Sequence, residues 1–222
     1  MIRPSTLQFL KSLSKNNNKP WFDTHRAEYE AAKKDFGDFV SLLIKKAAEF
    51  DSDLKDLQVK DCTFRINRDI RFSKDKTPYK KNFAASLDRG GKKSIYAGYY
   101  FHLEHGDKSF VAGGIWMPMA PELKKIRQEI DYSFDEFKSI VESKDFVKEF
   151  KGLETSSEVK LNNLPRGYEK ENPAAEYLKF KSIIATKYLT DEEVTSNKLL
   201  NTTIKAFKTV KPLIKFINRA LE

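Results

Sequence analysis

The sequence predicts an α+β fold in which a central, mainly antiparallel sheet is flanked by N-terminal and C-terminal helices. Three observations carry that prediction. Apolar residues recur at helical spacing near both ends of the chain, and between residues 62 and 117 the period shortens to two. The third is composition: 222 residues, 40% hydrophobic and 13% aromatic, suffice for one well-filled core, so residues 1–222 are read as a single domain.

The elements follow in order. Ser5-Thr6-Leu7-Gln8 has the form of a capping box, opening a helix with Leu7, Leu10 and Leu13 on one side. Asn16-Asn17-Asn18 reads as a turn, and Pro20 suits the first position of a second helix. Trp21, His25 and Tyr29 fall at four-residue steps on it. Phe36, Phe39, Val40, Leu43, Ile44 and Ala47 extend the apolar side, with a break expected near Gly37.

From Thr63 to Phe72 the residues alternate, and Arg68 interrupts the apolar side, which predicts a strand with a bulge or early turn there. Residues 82–87 suit another strand. Residues 94–104 and 108–117 form a hairpin around His105-Gly106-Asp107. Helical signals return at Pro121, with Leu123, Ile126 and Ile130, and Ser133 with Glu136 suggests a second capping box. A short strand near Val159, a short helix after Asn172-Pro173 and an extended run over 180–188 come next. Thr190 with Glu193 is a third capping box, and a long final helix carries Pro212, where a kink is expected.

The net charge is +9, and it is unevenly placed. Between Arg65 and Lys81 seven basic residues face only Asp69 and Asp75, so five of the nine net charges lie in one short segment. A lone cysteine, Cys62, excludes an internal disulfide and suits a reducing compartment. There is no apolar leader and no run of about 20 apolar residues, so a cytoplasmic protein without a membrane partner is expected.

Three sets of residues are similar to one known family. They are Asn16-Asn17-Asn18-Lys19-Pro20-Trp21-Phe22; the block 65–80, from Arg65-Ile66-Asn67-Arg68 to Thr77-Pro78-Tyr79-Lys80; and Gly113-Gly114 with Pro118, joined by Pro165-Arg166-Gly167-Tyr168 and Pro173. Over most of its length, from Leu7 to the final helix, the chain resembles the bacterial and fungal domain-of-unknown-function family 2461. The resemblance implies one domain and points to the same segments. It implies no activity, substrate or catalytic residue.

The residues themselves suggest an anion site. Arg65, Arg68, Arg71, Lys74, Lys76, Tyr79 and Lys80 would supply planar donors, mobile charge and an anchoring ring. Arg166 and Tyr168 could add a cation and a platform. Trp21, His25, Tyr100, Gly113 and Gly114 are candidate lining residues, although a helix packed over the glycines accounts for them better. The alternative for the whole segment is a solvated face of ordinary ion pairs.

His102 is the candidate acid–base residue, with Asp69 as its electrostatic partner or an alternative base. His102 and His105 point to opposite sides of a strand, so no metal is expected. No nucleophile elbow or phosphate loop appears, and no cofactor is expected. Whether the protein is an enzyme stays open. The favoured partner is a phosphorylated or carboxylated small molecule, with nucleic acid or an acidic protein as alternatives. A monomer or weak homodimer is expected.

Overall fold

The computed structural model describes residues 1–222. Helices α1 (Pro4–Lys15), α2 (Lys19–Thr24), α3 (Arg26–Ala48) and α4 (Val59–Cys62) precede strands β1 (Asn82–Asp88), β2 (Gly98–Glu104) and β3 (Ser109–Ile115). Then come α5 (Ala120–Tyr132), α6 (Phe134–Val141), α7 (Lys144–Phe150), α8 (Ala175–Leu178), β4 (Ile183–Leu189), α9 (Asp191–Thr195) and α10 (Leu199–Arg219). The strands form one antiparallel sheet in the order β1-β2-β3-β4, and the fold is α+β. No helix is long and apolar enough to cross a membrane.

Two compact units divide the chain. The first holds residues 1–92, 100–111 and 188–204, and the second holds 93–99, 112–187 and 205–222. In the first, the apolar stripes of α1 and α3 are buried through Phe9, Leu10, Leu13, Phe36, Phe39 and Leu43. Phe36 stacks on Phe83 at 5.4 Å, and Phe39 meets Phe101 at 5.0 Å. Large rings remove more apolar area per residue than aliphatic side chains do, so this aromatic core accounts for much of the unit's stability. Gly37 does not break α3, because its neighbours keep helical hydrogen bonding. Along β2 the period of two is plain: Phe101 and Leu103 are fully buried, while Tyr100, His102 and Glu104 are half-buried.

Two of the three expected capping boxes do not form. Pro4 starts α1 one residue before Ser5, and the Arg3 N–H and Thr6 hydroxyl both donate to Asp35 Oδ2, at 2.9 and 2.7 Å. The Ser133 hydroxyl donates to Glu129 at 3.1 Å, while Glu136 pairs with Arg219 at 2.7 Å. The third box forms as expected: Glu193 N–H donates to Thr190 Oγ1 at 3.1 Å, and Thr190 N–H to Glu193 Oε2 at 2.9 Å.

Residues 63–72 are not a strand. Only Thr63 and Asn67 make isolated bridges, to Ala85 and Tyr79, and Phe72 is 95% exposed. The alternation there does not mark a core face. Near Val159, likewise, the short strand reduces to one bridge between Lys160 and Phe180.

In the second unit Tyr99 packs on Phe207 at 4.8 Å and Phe137 on Phe216 at 5.3 Å. The buried Glu149 carboxylate is held by Lys187 at 2.6 Å and Lys205 at 2.7 Å. Burial pushes its pKa up, but the two ammonium groups outweigh burial and hold it below the usual range. Helix α10 continues through Pro212. A Cβ at Gly113 would overlap the Val210 side chain, so α10 lies over that glycine, as the packing reading had it. At Gly114, φ is +126° and a Cβ would overlap the carbonyl oxygen of Ile183 in β4.

Gly114→Ala should therefore cost about 3 kcal/mol or more, through both the backbone strain and the overlap with β4. A urea unfolding midpoint within error of the wild type would contradict this account of the glycine pair.

Candidate functional site

The first unit positions the basic segment by hydrogen bonds from outside it. The Asn17 side-chain amide donates to the Tyr79 carbonyl at 2.8 Å and accepts from the Tyr79 N–H at 3.0 Å. It thus imitates a neighbouring strand at that residue. Asn18 caps α2 by accepting from the Trp21 N–H at 3.0 Å, which sets the helix that carries Phe22. The Phe22 ring stacks on Tyr79 at 4.0 Å, 15° from parallel. The Asn16–Asn18 turn and the 65–80 block therefore form one assembly.

Beyond that anchor the segment runs beside β1 and then loops out. Phe64 N–H donates to the Ala84 carbonyl at 3.1 Å, Lys80 N–H to Ile66 at 2.8 Å, and Arg68 N–H to Pro78 at 2.9 Å. Residues 69–77 close the loop. Arg68 is a staple for it: its guanidinium donates to Asp75 at 2.7 Å, to the Thr77 carbonyl at 3.0 Å and to the Thr77 hydroxyl. The Thr77 N–H and hydroxyl, followed by Arg68, hold the Asp75 carboxyl down at about 2. Arg71 grips Asp69 with two bonds, at 3.0 and 2.7 Å, and the pair is exposed. Lys76 donates to the Ile70 carbonyl at 3.0 Å, and Lys74 is exposed.

Arg65 and Lys80 differ from these. Neither makes an ion pair with a carboxylate, although the Asp69 carboxyl, held down chiefly by Arg71, also feels the exposed Arg65. The Lys80 ammonium lies 5.3 Å over the Phe64 ring, and burial, followed by the Arg65 charge, holds its pKa below the usual lysine range.

Next to Phe64 the half-buried side of the sheet carries a row of rings. Tyr100 lies 6.4 Å from Phe64 and 5.7 Å from Phe110. His102 stacks on Phe110 at 4.5 Å, and Tyr188 is 5.8 Å beyond Phe110. Burial pushes the Tyr100 phenol up to about 12, so it stays protonated at neutral pH. His102 Nε2 lies 3.1 Å from Glu104 Oε2, and Asn82 Nδ2 lies 3.5 Å from His102 Nδ1. The neutral tautomer that satisfies both carries its proton on Nε2. The His102 bond holds the Glu104 carboxyl below its ordinary value. Glu104, not Asp69, is thus the hydrogen-bonded carboxylate of His102, since both Asp69 oxygens go to Arg71. Their i, i+2 spacing on a strand was the available signal.

The remaining candidates have ordinary partners or belong to the second unit. His25 stacks on Trp21 at 4.0 Å, and its Nδ1 lies 2.8 Å from the Trp21 carbonyl. That is a packing histidine. Arg166, which is exposed, and Tyr168, half-buried, fall in the second unit.

Cys62 is fully buried, with its thiol pushed up to about 12 by burial and then by Asp88 and Asp61. Burial thus disfavours the thiolate that nucleophilic chemistry requires. Asp88 is itself buried and accepts only from Ser86, at 2.9 and 2.8 Å, so burial raises it to about 7.

Against these features, the chain belongs to domain-of-unknown-function family 2461, described as a conserved hypothetical protein, whose model matches residues 5–216. No curated protein and no solved structure matches the chain.

Asn17→Ala removes both bonds to the Tyr79 backbone and should cost about 2 kcal/mol, read from denaturant unfolding. An unchanged midpoint would show that Phe22 alone anchors the segment. Asp88 gives a pH signature. Its folded pKa of about 7 lies above the ordinary 3.8, so the folded state binds the proton more tightly. Stability then falls as pH rises from about 4 to about 7, by roughly 2–4 kcal/mol. Asp88→Asn should raise the melting temperature at pH 8 and lose that advantage at pH 4. An equal effect at both would refute the assignment.

Proposed function

We propose that the protein binds a phosphorylated or carboxylated small molecule at Arg65 and Lys80, beside the ring row of Phe64, Tyr100, Phe110 and His102. One observation supports this most directly. Arg68 and Arg71 spend their charge on acids of their own loop, whereas Arg65 and Lys80 make no ion pair with a carboxylate and the Arg65 charge is felt at Lys80. Like charges held together by a folded backbone are relieved by an anion, and that relief becomes binding free energy.

The division of labour follows from the chemistry of each group. Arg65 offers planar donors for two oxygens of one anionic group, and Lys80 a single compact charge. Tyr79 acts through its anchored backbone, and Arg68 keeps the loop closed. His102, oriented by Glu104, is the imidazole of that face able to exchange a proton with a bound molecule. The same rings favour a second reading, single-stranded nucleic acid, whose bases stack on aromatic side chains while phosphates meet the cations.

Thermal denaturation with inorganic phosphate, citrate and simple phosphate esters tests the first reading. A compound at a hundredfold its Kd should stabilise the fold by about 2.7 kcal/mol. Arg65→Ala with Lys80→Ala should abolish that gain, and Arg71→Ala should leave most of it. Equal gains in the double variant would sink the proposal. Oligonucleotide affinity that falls steeply with salt, without a response to the small anions, would favour the nucleic-acid reading.

A further inference from the structure

The tip of the basic loop carries a feature that the small-anion reading does not use. Phe72 is 95% exposed. The loop that holds it out is closed by its own hydrogen bonds. Arg68 donates to Asp75 at 2.7 Å, the Thr77 N–H to Asp75 at 2.9 Å, and the Ser73 N–H to the Ile70 carbonyl at 3.3 Å. The Lys76 ammonium reaches that same carbonyl at 3.0 Å. A single exposed apolar side chain is ordinary on a protein surface, so exposure alone assigns nothing. Phe72 differs in its company.

That company is cationic. The Arg71 guanidinium lies 5.8 Å over the Phe72 ring, and at such exposure no second ring packs against it. The two acids of the loop are already taken, Asp69 by Arg71 and Asp75 by Arg68, each at 2.7 Å. Lys74 and Lys76, on either side of Asp75, are exposed and keep their charge. An apolar tip beside unneutralised ammonium groups matches a surface that is negative outside and apolar just beneath. An anionic lipid bilayer is layered in that way. Flexible lysine stems can lie against the apolar layer while their heads stay level with the lipid phosphates. Single-stranded nucleic acid fits less well. Its bases stack on successive rings along a groove, whereas this ring stands alone with a guanidinium over one face.

We infer that residues 69–77 dock the protein on an anionic membrane surface, with Phe72 entering the interface and Lys74 and Lys76 meeting lipid phosphates. This goes beyond the small-molecule reading, since neither Arg65 nor Lys80 takes part. One ring and two ammonium groups give reversible adhesion, not a permanent anchor. The expectation of no membrane partner rested on the lack of a leader and of a spanning segment, neither of which such docking uses.

Co-sedimentation of the full-length protein with phosphatidylcholine vesicles, made with and without phosphatidylserine, tests the inference. Binding to the anionic vesicles should be saturable, should weaken with salt, and should exceed binding to the neutral ones by about tenfold or more. Phe72→Ala and Lys74→Glu should each weaken it roughly tenfold. Both positions are exposed, so unchanged thermal denaturation should accompany the loss. Phe72→Leu keeps apolar area but removes the ring face, and should bind within about threefold of the wild type. No binding to the anionic vesicles would overturn the inference, as would equal binding to both kinds. So would a loss in Phe72→Leu as complete as in Phe72→Ala, which together with salt-sensitive oligonucleotide binding would assign the loop to nucleic acid.

Discussion

The basic segment depends on one side-chain amide. Asn17 gives the Tyr79 backbone a donor and an acceptor at 3.0 Å or less, and Phe22 closes over the Tyr79 ring. Without that contact, residues 69–77 would be a loop rich in like charge, with a large entropic reason to stay open. With it, the two ends of the loop are held together, and Arg68 needs to reach only Asp75 and Thr77 to finish the closure. The order of dependence runs from amide to ladder to staple, and the charges left over are those at the ladder's end.

This explains why the polar turn and the basic block belong to one assembly. The turn looks like a simple connector between two helices, yet two of its asparagines have long-range or capping work. Asn17 reaches 62 residues ahead, and Asn18 starts the helix that aims Phe22. The glycine pair has a comparable explanation in the second unit. Helix α10 needs one glycine and β4 the other, so both are dictated by close backbone approach.

Much of the architecture was legible because it rests on period and on backbone chemistry. The sheet's hairpin, the start of α5 and the Thr190–Glu193 cap follow from rules that act over a few residues. The failures share a cause as well. The alternation of residues 63–72 looks like a strand, but pairing stops at Arg68 because its side chain is bound by the loop it enters. At Ser133 and Ser5, local capping lost to partners far away in sequence, Arg219 for one and Asp35 for the other. The partner of His102 could have been found from strand parity.

Charge counting alone therefore misjudges where this protein can meet an anion. A dense run of arginines and lysines suggests a site along its whole length, yet the fold consumes much of that charge. Arg68 is spent on loop closure, and Arg71 on an exposed pair that bulk water screens, whose net contribution is small. What distinguishes Arg65 and Lys80 is not their charge but the absence of an ion pair that consumes it. Lys80 is held over the Phe64 ring and half-buried, where solvent compensates poorly for a missing partner. Under the proposed reading, a ligand's negative charge would take the place of a carboxylate that the chain does not supply there. Binding capacity is thus better judged from unneutralised cations in partly dry surroundings than from local basicity.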